Sequence, residues 1–158
     1  MQPRVRREIM TEQLSIQDLN ISDSEWEVMR VLWADAPLTS REIIDRVLDI
    51  LDWKEGTVKS LINRLVNKEN IQKIETDTVL KYKPSISELE ANRLKADKIF
   101  DSICTKERGS LIIHLVDTNQ LSQDQIQELI SQLQTKALTA PEEVACECAV
   151  GQCHCHLH

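Results

Sequence analysis

Apolar residues recur at helical spacing in three successive segments of the N-terminal half. The first runs from Trp26 to Trp33 behind Ser22-Asp-Ser-Glu25, and the second follows Thr39-Ser-Arg-Glu42. A serine or threonine followed three residues later by glutamate is the capping-box signature of a helix start. In the third segment the i, i+3, i+4, i+7 and i+8 positions of a packed helix face are Val58, Leu61, Ile62, Leu65 and Val66. These patterns predict three short helices.

The spacing then changes from helical to strand-like. Ile71-Gln-Lys-Ile74 is short and apolar at both ends, and in the segment 79–83 apolar Leu80 and Tyr82 alternate with Lys81 and Lys83. Such alternation is typical of a half-buried strand. The intervening turn lacks the glycine that tight hairpins favour. Three helices followed by a two-stranded hairpin predict a winged helix-turn-helix.

The C-terminal half is again helical in pattern. Residues 86–104 predict a long helix, 111–116 are nearly all apolar, and 122–137 form an amphipathic segment. Three helices of this size cannot bury their own apolar faces, so we expect a homodimer, the commonest symmetric solution. The predicted fold is mainly α, with a flexible lead-in (1–20), a winged-helix DNA-binding domain (21–85), a helical dimerisation domain (86–140) and a Cys-rich metal-binding tail (141–158).

The net charge of −7 counts weakly against nucleic acid as a partner. The charge is unevenly distributed, because residues 22–52 carry three basic and eight acidic side chains whereas residues 53–84 carry seven basic and four acidic. A local basic patch can still bind phosphate, since charges act within about 10 Å at ordinary salt. Double-stranded DNA therefore remains a candidate partner.

The outward face of the third predicted helix carries side chains suited to DNA reading. Arginine can pair bidentately with guanine and asparagine with adenine, while serine and threonine reach bases or phosphates. Lysines on the preceding turn and on the wing are placed for phosphate contacts. An ordinary solvated helix face would have a similar composition. The candidate DNA-binding residues are Lys54, Thr57, Lys59, Ser60, Asn63, Arg64, Lys81 and Lys83.

Four cysteines stand close together near the C-terminus, in Cys146-Glu-Cys148-Ala-Val-Gly-Gln-Cys153-His-Cys155. Thiolates select soft metals such as copper(I) and zinc, and four of them complete a tetrahedral zinc shell. The one-residue gaps suit sulfur-bridged copper(I) clusters at least as well as zinc. The alternative is a disordered tail with adventitious disulfides. Three nearby histidines are expected to be solvated bystanders: His154, His156 and His158.

Two further residues are expected to be structural. Cys104, beside Ile103 at the end of the long helix, is expected to pack as a small hydrophobe, and His114 is expected to be a core histidine.

The sequence has no nucleophile–base pair, phosphate loop or metalloprotease motif, so we expect that the protein is not an enzyme. No apolar run approaches the ~20 residues of a membrane span, and no apolar stretch follows the basic N-terminus. A cytoplasmic location is expected, where thiols stay reduced.

The segment Ile21-Ser-Asp-Ser-Glu-Trp26 through Trp33, followed by Asp52-Trp53 and Thr57-Val-Lys-Ser-Leu-Ile-Asn-Arg-Leu65, resembles the BlaI/MecI family of penicillinase repressors. Leu121-Ser-Gln-Asp-Gln-Ile-Gln-Glu-Leu129 extends the resemblance. The double C-x-C tail is similar to that of the copper-responsive, CopY-type branch of the family. The penicillinase repressors themselves have an Asn-Phe cleavage site in the apolar segment, where this chain has His114-Leu115. Induction by proteolysis is therefore not expected.

The resemblance implies a dimeric repressor of a pseudo-palindromic operator with TACA and TGTA arms, read by the helix bearing Thr57, Lys59, Ser60 and Arg64. It also implies a zinc-loaded four-thiolate site at Cys146, Cys148, Cys153 and Cys155 in the repressing form. Copper(I) from a small copper chaperone would replace zinc, release the operator and derepress copper-export genes. Two alternatives are open: a thiol-redox-sensing repressor, and a copper-buffering protein without specific DNA binding.

Overall fold

The computed structural model of the chain describes residues 19–156, with only the backbone at His156. The predicted lead-in (1–20) therefore lies outside the described residues except for its last two positions, and His158 lies wholly outside them. The elements are α1 (Asp23–Asp35), β1 (Leu38–Thr39), α2 (Ser40–Ile50), α3 (Glu55–Asn67), β2 (Ile71–Glu75), β3 (Leu80–Pro84), α4 (Glu88–Asp101), α5 (Arg108–Thr118), α6 (Gln123–Ala137) and a 3-10 turn, His154–His156. Two compact units divide between Lys95 and Ala96.

Both predicted capping boxes are confirmed. In α1 the Glu25 amide donates to Ser22 Oγ at 3.2 Å, and the Ser22 amide donates to Glu25 Oε2 at 2.9 Å. Thr39 and Glu42 make the same reciprocal pair at the start of α2. Helix α6 begins with a third capping box, Ser122 with Gln125, which was not predicted. These side chains satisfy amide donors that lack partners inside the first helical turn.

The winged helix-turn-helix architecture is confirmed, with one strand more than predicted. The strands pair antiparallel in the order β1-β3-β2, so β3 is central. Strand β1 has only two residues, too few to show an alternating pattern, and Leu38 lies opposite Tyr82. The glycine-free turn of the wing is closed instead by Thr76, whose hydroxyl donates to the Val79 carbonyl at 2.9 Å and accepts from the Val79 amide at 3.2 Å.

Burial on β3 follows the prediction only in part. Tyr82 is buried among the core residues, but Leu80 is 37% exposed. Leu80 pairs with Glu75 at the end of the ladder next to the turn, where the wing extends past the helices that cover Tyr82. The alternation in sequence therefore predicts the pleat correctly, while the depth of burial depends on how far the helical layer reaches along the strand.

The core of the first unit lies between the three helices and the sheet. Its largest fully buried apolar side chains are Met29, Leu32, Ile43, Ile44, Leu65, Val28, Val47 and Val58. Trp26 and Trp33 form an edge-to-face pair with ring centroids 5.1 Å apart. Trp33 Nε1 also donates to the Ile86 carbonyl at 2.8 Å, which joins α1 to the segment after the wing.

The second unit is helical but has little buried apolar surface. Neither α5 nor α6, both wholly within the described residues, contains a buried residue. His114 is exposed, so its expected role as a core histidine is wrong for the single chain. Among the described residues, the structure has no helix with the length and apolar character needed to cross a membrane.

Candidate DNA-binding surface and metal centre

Helix α3 buries one face and exposes the opposite one. Val58, Leu61, Ile62 and Leu65 are buried, which fixes the rotation of the helix about its axis. With 3.6 residues per turn, Ser60, Asn63 and Asn67 lie near the middle of the exposed face, and Thr57 and Arg64 lie along its edge. All five side chains are exposed. The predicted reading residues of α3 are therefore accessible on one helix face, with Lys59 at its opposite edge.

A buried carboxylate on α1 holds the Arg64 edge of this face. Glu25 is fully buried, its Oε1 lies 3.2 Å from Arg64 Nε, and its Oε2 lies 2.8 Å from Lys68 Nζ. Burial alone would raise the pKa of Glu25, but hydrogen bonds from Lys68 and the Ser22 amide, with the charges of Lys68 and Arg64, lower it below its usual value. The local sequence pattern around Glu25 predicts only its capping role.

This pairing leaves the outer part of the Arg64 guanidinium available. The Arg64 side chain is 57% exposed even though its Nε faces Glu25. A guanidinium has five N–H donors, so one contact at Nε leaves its terminal donors free for a bidentate pair elsewhere. Glu25 therefore orients Arg64 and leaves the terminal N–H groups of its guanidinium accessible.

Glu55 at the start of α3 pairs with two basic side chains, one on α3 and one on α2. Lys59 Nζ lies 2.6 Å from Glu55 Oε1, and Arg41 Nη1 lies 3.3 Å from Glu55 Oε2. The hydrogen bond from Lys59, followed by the charges of Lys59 and Arg41, lowers the pKa of Glu55 despite partial desolvation. Lys54 is the exposed N-cap residue, where a phosphate would meet the positive end of the helix.

The wing lysines lie on the central strand. Lys81 and Lys83 alternate with buried Tyr82, so they project from the opposite side of β3. Lys83 is exposed, whereas Lys81 is half-buried opposite Thr39. The charge of Lys81 adds to the lowering of the Glu42 pKa, which is caused first by hydrogen bonds from the Thr39 amide and hydroxyl. Lys83 is thus the more accessible of the two for a phosphate contact.

The thiols of the tail converge with Cys104. Cys104 Sγ lies 3.6 Å from Cys146 Sγ and 4.0 Å from Cys155 Sγ, and Cys146 Sγ lies 3.3 Å from Cys153 Sγ. All five cysteines are half-buried and unbridged. The interpretation of Cys104 as a small packing hydrophobe is wrong, because its sulfur lies inside the thiol cluster. Cys104 lies 42 residues from Cys146 along the chain, so no local sequence pattern predicts that it joins the cluster.

Two local features hold the tail in this arrangement. The Thr105 hydroxyl donates to the Ala145 carbonyl at 2.6 Å and accepts from the Glu147 amide at 3.3 Å. It therefore binds the backbone on both sides of Cys146. Between the two C-x-C pairs, the Gln152 amide donates to the Ala149 carbonyl at 3.0 Å. Gly151 has φ +88° at the third position of this turn, where a type II turn favours glycine.

The donor set suits a soft cation. Burial, followed by hydrogen bonds to neighbouring thiols, raises the pKa of Cys148 to about 12. Hydrogen bonding with Cys153, followed by burial, raises the pKa of Cys155 to about 12. Burial would raise the pKa of Cys153 as well, but its hydrogen bond with Cys146 and the one from the Cys155 amide lower that pKa overall. Several adjacent thiolates repel one another, and a bound metal ion removes that cost.

A three-helix unit with a winged hairpin and a third helix that exposes one polar face defines a winged-helix DNA-binding protein. The penicillinase repressor family matches residues 21–135. The chain therefore belongs to the penicillinase repressor (BlaI/MecI) family of DNA-binding transcriptional repressors. The cysteine-rich tail lies beyond the matched residues.

Similarity to individual proteins extends over most of the chain. The chain is 37% identical to an uncharacterized 16.5 kDa protein in the ptsI 3′ region of Latilactobacillus sakei, over 85% of this chain and 92% of that protein. It is 28% identical to the methicillin resistance regulatory protein MecI of Staphylococcus aureus strain N315, over 73% of this chain and 94% of MecI. The chain is 30% identical to the solved DNA-binding domain of the repressor BlaI. That match covers 44% of this chain and 84% of the BlaI domain, with a TM-score of 0.40.

Proposed function

We propose that this chain is a copper-sensing transcriptional repressor. As a zinc-loaded homodimer it binds a pseudo-palindromic operator with TACA and TGTA arms, and it leaves the operator when copper(I) replaces zinc. The single observation that carries the proposal is the convergence of five half-buried thiols in a member of a repressor family. Thiolates prefer soft metals, and DNA reading itself does not require a thiol cluster.

The DNA-reading part of the proposal rests on the exposed face of α3. Thr57, Ser60, Asn63 and Arg64 would enter the major groove, with Lys59 beside them. Lys54 at the helix start and Lys81 and Lys83 on the wing would contact phosphates and fix the register. Glu25 would hold Arg64 in position by its contact with the Arg64 Nε. The terminal N–H groups of the guanidinium would then be available to bind a base.

The dimer rests on the exposed apolar faces of the second unit. Ile112, Ile130 and Leu133 are 47%, 42% and 58% exposed, and Leu111 and Leu129 are only half-buried. Covering them with a second copy would remove this surface from water, at roughly 25 cal/mol per Å². A two-fold dimer would also present two α3 helices to the two operator arms, as palindromic sites require.

The switch is proposed to act by geometry and not by charge. Four thiolates with one Zn²⁺ and four thiolates with two Cu⁺ carry the same net charge, so repulsion between tail and DNA would not differ. A four-coordinate shell holds Cys146, Cys148 and Cys153 in one arrangement, and low-coordinate copper(I) favours a different one. Through Thr105, movement of the tail backbone would reach the α4–α5 connection. A coupling of about 1–3 kcal/mol would suffice for graded release.

The cluster is open to a metal donor. A groove of about 750 Å³ borders it, lined in part by Cys104 and Cys148. A small copper chaperone could pass copper(I) to these sulfurs by thiolate exchange, without release of the ion to solution. The chaperone itself is proposed because the resemblance to the CopY-type branch implies one, and the groove beside the cluster is compatible with it.

The test is a gel shift on the chain's own promoter DNA, first with zinc and then with copper(I). The zinc form should bind, and copper(I) should release it. Replacing Cys146, Cys148, Cys153 and Cys155 with serine should abolish the copper response, whereas His154→Ala, His156→Ala and His158→Ala together should leave it largely intact. Copper-induced release that persists in the four-serine variant would contradict the proposal.

A second candidate is a thiol-redox-sensing repressor, favoured by the 3.3 Å separation of Cys146 Sγ and Cys153 Sγ. Sulfurs this close need little movement to form a disulfide under an oxidant. Operator binding that survives oxidant but is lost with copper(I) supports the copper sensor, and the reverse supports the redox sensor. Family membership counts against a copper buffer without specific DNA binding.

A further inference from the structure

Cys104 occupies a fixed position at the corner between α4 and α5. The Glu107 amide donates to its carbonyl at 2.8 Å, and Arg108 Nε donates to the carbonyl of the preceding Ile103 at 3.2 Å. The adjacent Thr105 hydroxyl binds the tail backbone on both sides of Cys146. The Cys104 sulfur is therefore presented to the tail from a helical corner, and the tail is attached to that corner by hydrogen bonds that involve no thiol.

The sulfur positions distinguish Cys104 from Cys155. With Zn–S bonds of about 2.3 Å, the sulfurs of a tetrahedral shell lie about 3.8 Å apart. Among the described residues, the set whose ligand atoms all lie within 4.8 Å of one another is Cys104, Cys146, Cys148 and Cys153. Cys155 approaches Cys104 at 4.0 Å but is not a member of that set.

We propose that Cys104 is a zinc ligand, that the resident shell is Cys104, Cys146, Cys148 and Cys153, and that Cys155 is a fifth thiol outside it. This inference rests on the proposed metal site but changes its composition: one ligand comes from the helical body. Metal binding then ties the tail to the α4–α5 corner. The fifth thiol beside Cys104 gives an incoming copper(I) a first ligand that zinc does not occupy.

The consequence is a direct connection between the metal and the dimerisation helices. A shell made only of the double C-x-C could be filled while the tail moves freely. A shell that includes Cys104 fixes the tail to the residue three positions before Glu107, the N-cap of α5. Changes in sulfur geometry would then act on the start of α5, whose exposed apolar face is proposed to pack against the partner.

Alkylation mapping of the full-length wild-type chain tests the assignment. Each cysteine is labelled with iodoacetamide in the metal-free and the zinc-saturated protein, and its labelling rate is read by peptide mass spectrometry. Zinc should slow labelling of Cys104, Cys146, Cys148 and Cys153 at least tenfold and leave Cys155 reactive. An unchanged rate at Cys104 would overturn the inference. Protection of all five would keep Cys104 as a ligand and overturn the exclusion of Cys155.

A matched control separates ligation from burial. In the variant with serine at Cys146, Cys148, Cys153 and Cys155, zinc should no longer change the labelling rate of Cys104. If zinc protects no cysteine in the wild-type chain, the proposed metal site itself fails, which differs from failure of the Cys104 assignment alone.

Cobalt(II) substitution gives a second readout, since thiolate-to-cobalt absorption grows with the number of thiolate ligands. Cys104→Ser should lose about a quarter of this absorption, or should bind zinc at least tenfold more weakly in competition with a chelator. Cys155→Ser should match the wild type in both. A loss in Cys155→Ser with no change in Cys104→Ser would reverse the assignment.

Discussion

The two compact units differ in what they bury. In the first, α1, α2 and α3 enclose fully buried side chains such as Met29, Leu32 and Leu65. In the second, α5 is rich in apolar residues and α6 is amphipathic, but neither contains a buried residue. Among the described residues, every buried apolar side chain lies at or before Ala91. The first unit can therefore fold on its own contacts, whereas the second has apolar surfaces that need a partner.

This difference fits the separate tasks that the proposed function gives the two regions: the first reads DNA, and the second senses metal and assembles the dimer. A DNA-reading surface must keep a fixed geometry, and α3 is held by a buried face and by Glu25. A sensing and assembly region works best when its stability depends on what binds, because anything that binds only the folded state stabilises it. In the second unit the missing stabilisation would come from a second copy and from metal bound to the thiol cluster.

Separating the units should have the largest effect. A fragment of residues 1–95 should fold as a monomer and lose about 10²–10⁴-fold in operator affinity, because linkage of two readers supplies that factor. Residues 96–158 alone should be unfolded at low concentration in the absence of metal. Sedimentation and gel shift measure these outcomes. A dimeric 1–95 fragment would place the interface in the wrong unit.

Leucine truncation should then distinguish the two environments. Leu65→Ala opens a cavity in the core and should cost about 2–5 kcal/mol at any protein concentration. Leu133→Ala, at a side chain that is 58% exposed, should lower stability mainly through the dimer, so its effect should grow on dilution. Denaturant unfolding at two concentrations tests this. A concentration-independent loss for Leu133→Ala would mean that α6 is stabilised within one chain.

The first unit was predictable from sequence because its signals are local. Capping boxes at Ser22 and Thr39 and the apolar spacing of α3 depend on residues three or four apart. Strand β1 escaped prediction because two residues show no period. The start of α3 at Glu55 could not be located from the sequence, because its N-cap residue Lys54 gives no side-chain capping signal.

The thiol cluster was only half predictable. The double C-x-C is a local motif and indicates metal binding by itself, but Cys104 joins it across 42 residues. Likewise the contact of Glu25 with Arg64 and Lys68 joins α1 to the end of α3. Contacts of this kind depend on tertiary packing, which no spacing rule in a single sequence encodes.

Within the first unit, Arg64 and Lys83 are expected to act differently on DNA. Arg64→Ala should cost about 1–3 kcal/mol on the operator and much less on random DNA, because a base contact is lost. Lys83→Ala should weaken both alike and lower the salt slope by about one unit. Gel shifts at several salt concentrations provide both numbers. Equal losses on both DNAs for Arg64→Ala would remove its base-reading role.

The buried carboxylate should make the first unit acid-sensitive. Glu25→Gln keeps a capping-box side chain but removes the charge facing Arg64 and Lys68, at a cost of about 1–2 kcal/mol after allowance for their exposure. Because the folded pKa of Glu25 is lowered from 4.5, its contribution is fully present above that value. The contribution is lost as pH falls through the folded pKa. A wild-type advantage that stays constant down to strongly acidic pH would contradict this.

The smallest expected effects come from two residues with positive φ, one in each unit. Glu69 has φ +61° after α3, where its amide donates to the Val66 carbonyl and the Asn70 amide to the Leu65 carbonyl. Glycine is preferred at this position of a Schellman motif, so Glu69→Gly should stabilise the first unit by about 0.5–1 kcal/mol.

Gly151→Ala is the reciprocal change in the second unit. A Cβ there meets no atom within 4 Å, so its cost is backbone strain alone, about 1 kcal/mol. Unfolding of the first unit should not change, and zinc affinity, measured by chelator competition, should fall by about fivefold because the turn joins the two C-x-C pairs. If Gly151→Ala instead lowers the denaturation midpoint of the 1–95 unit within the full chain, the two regions are not energetically separate.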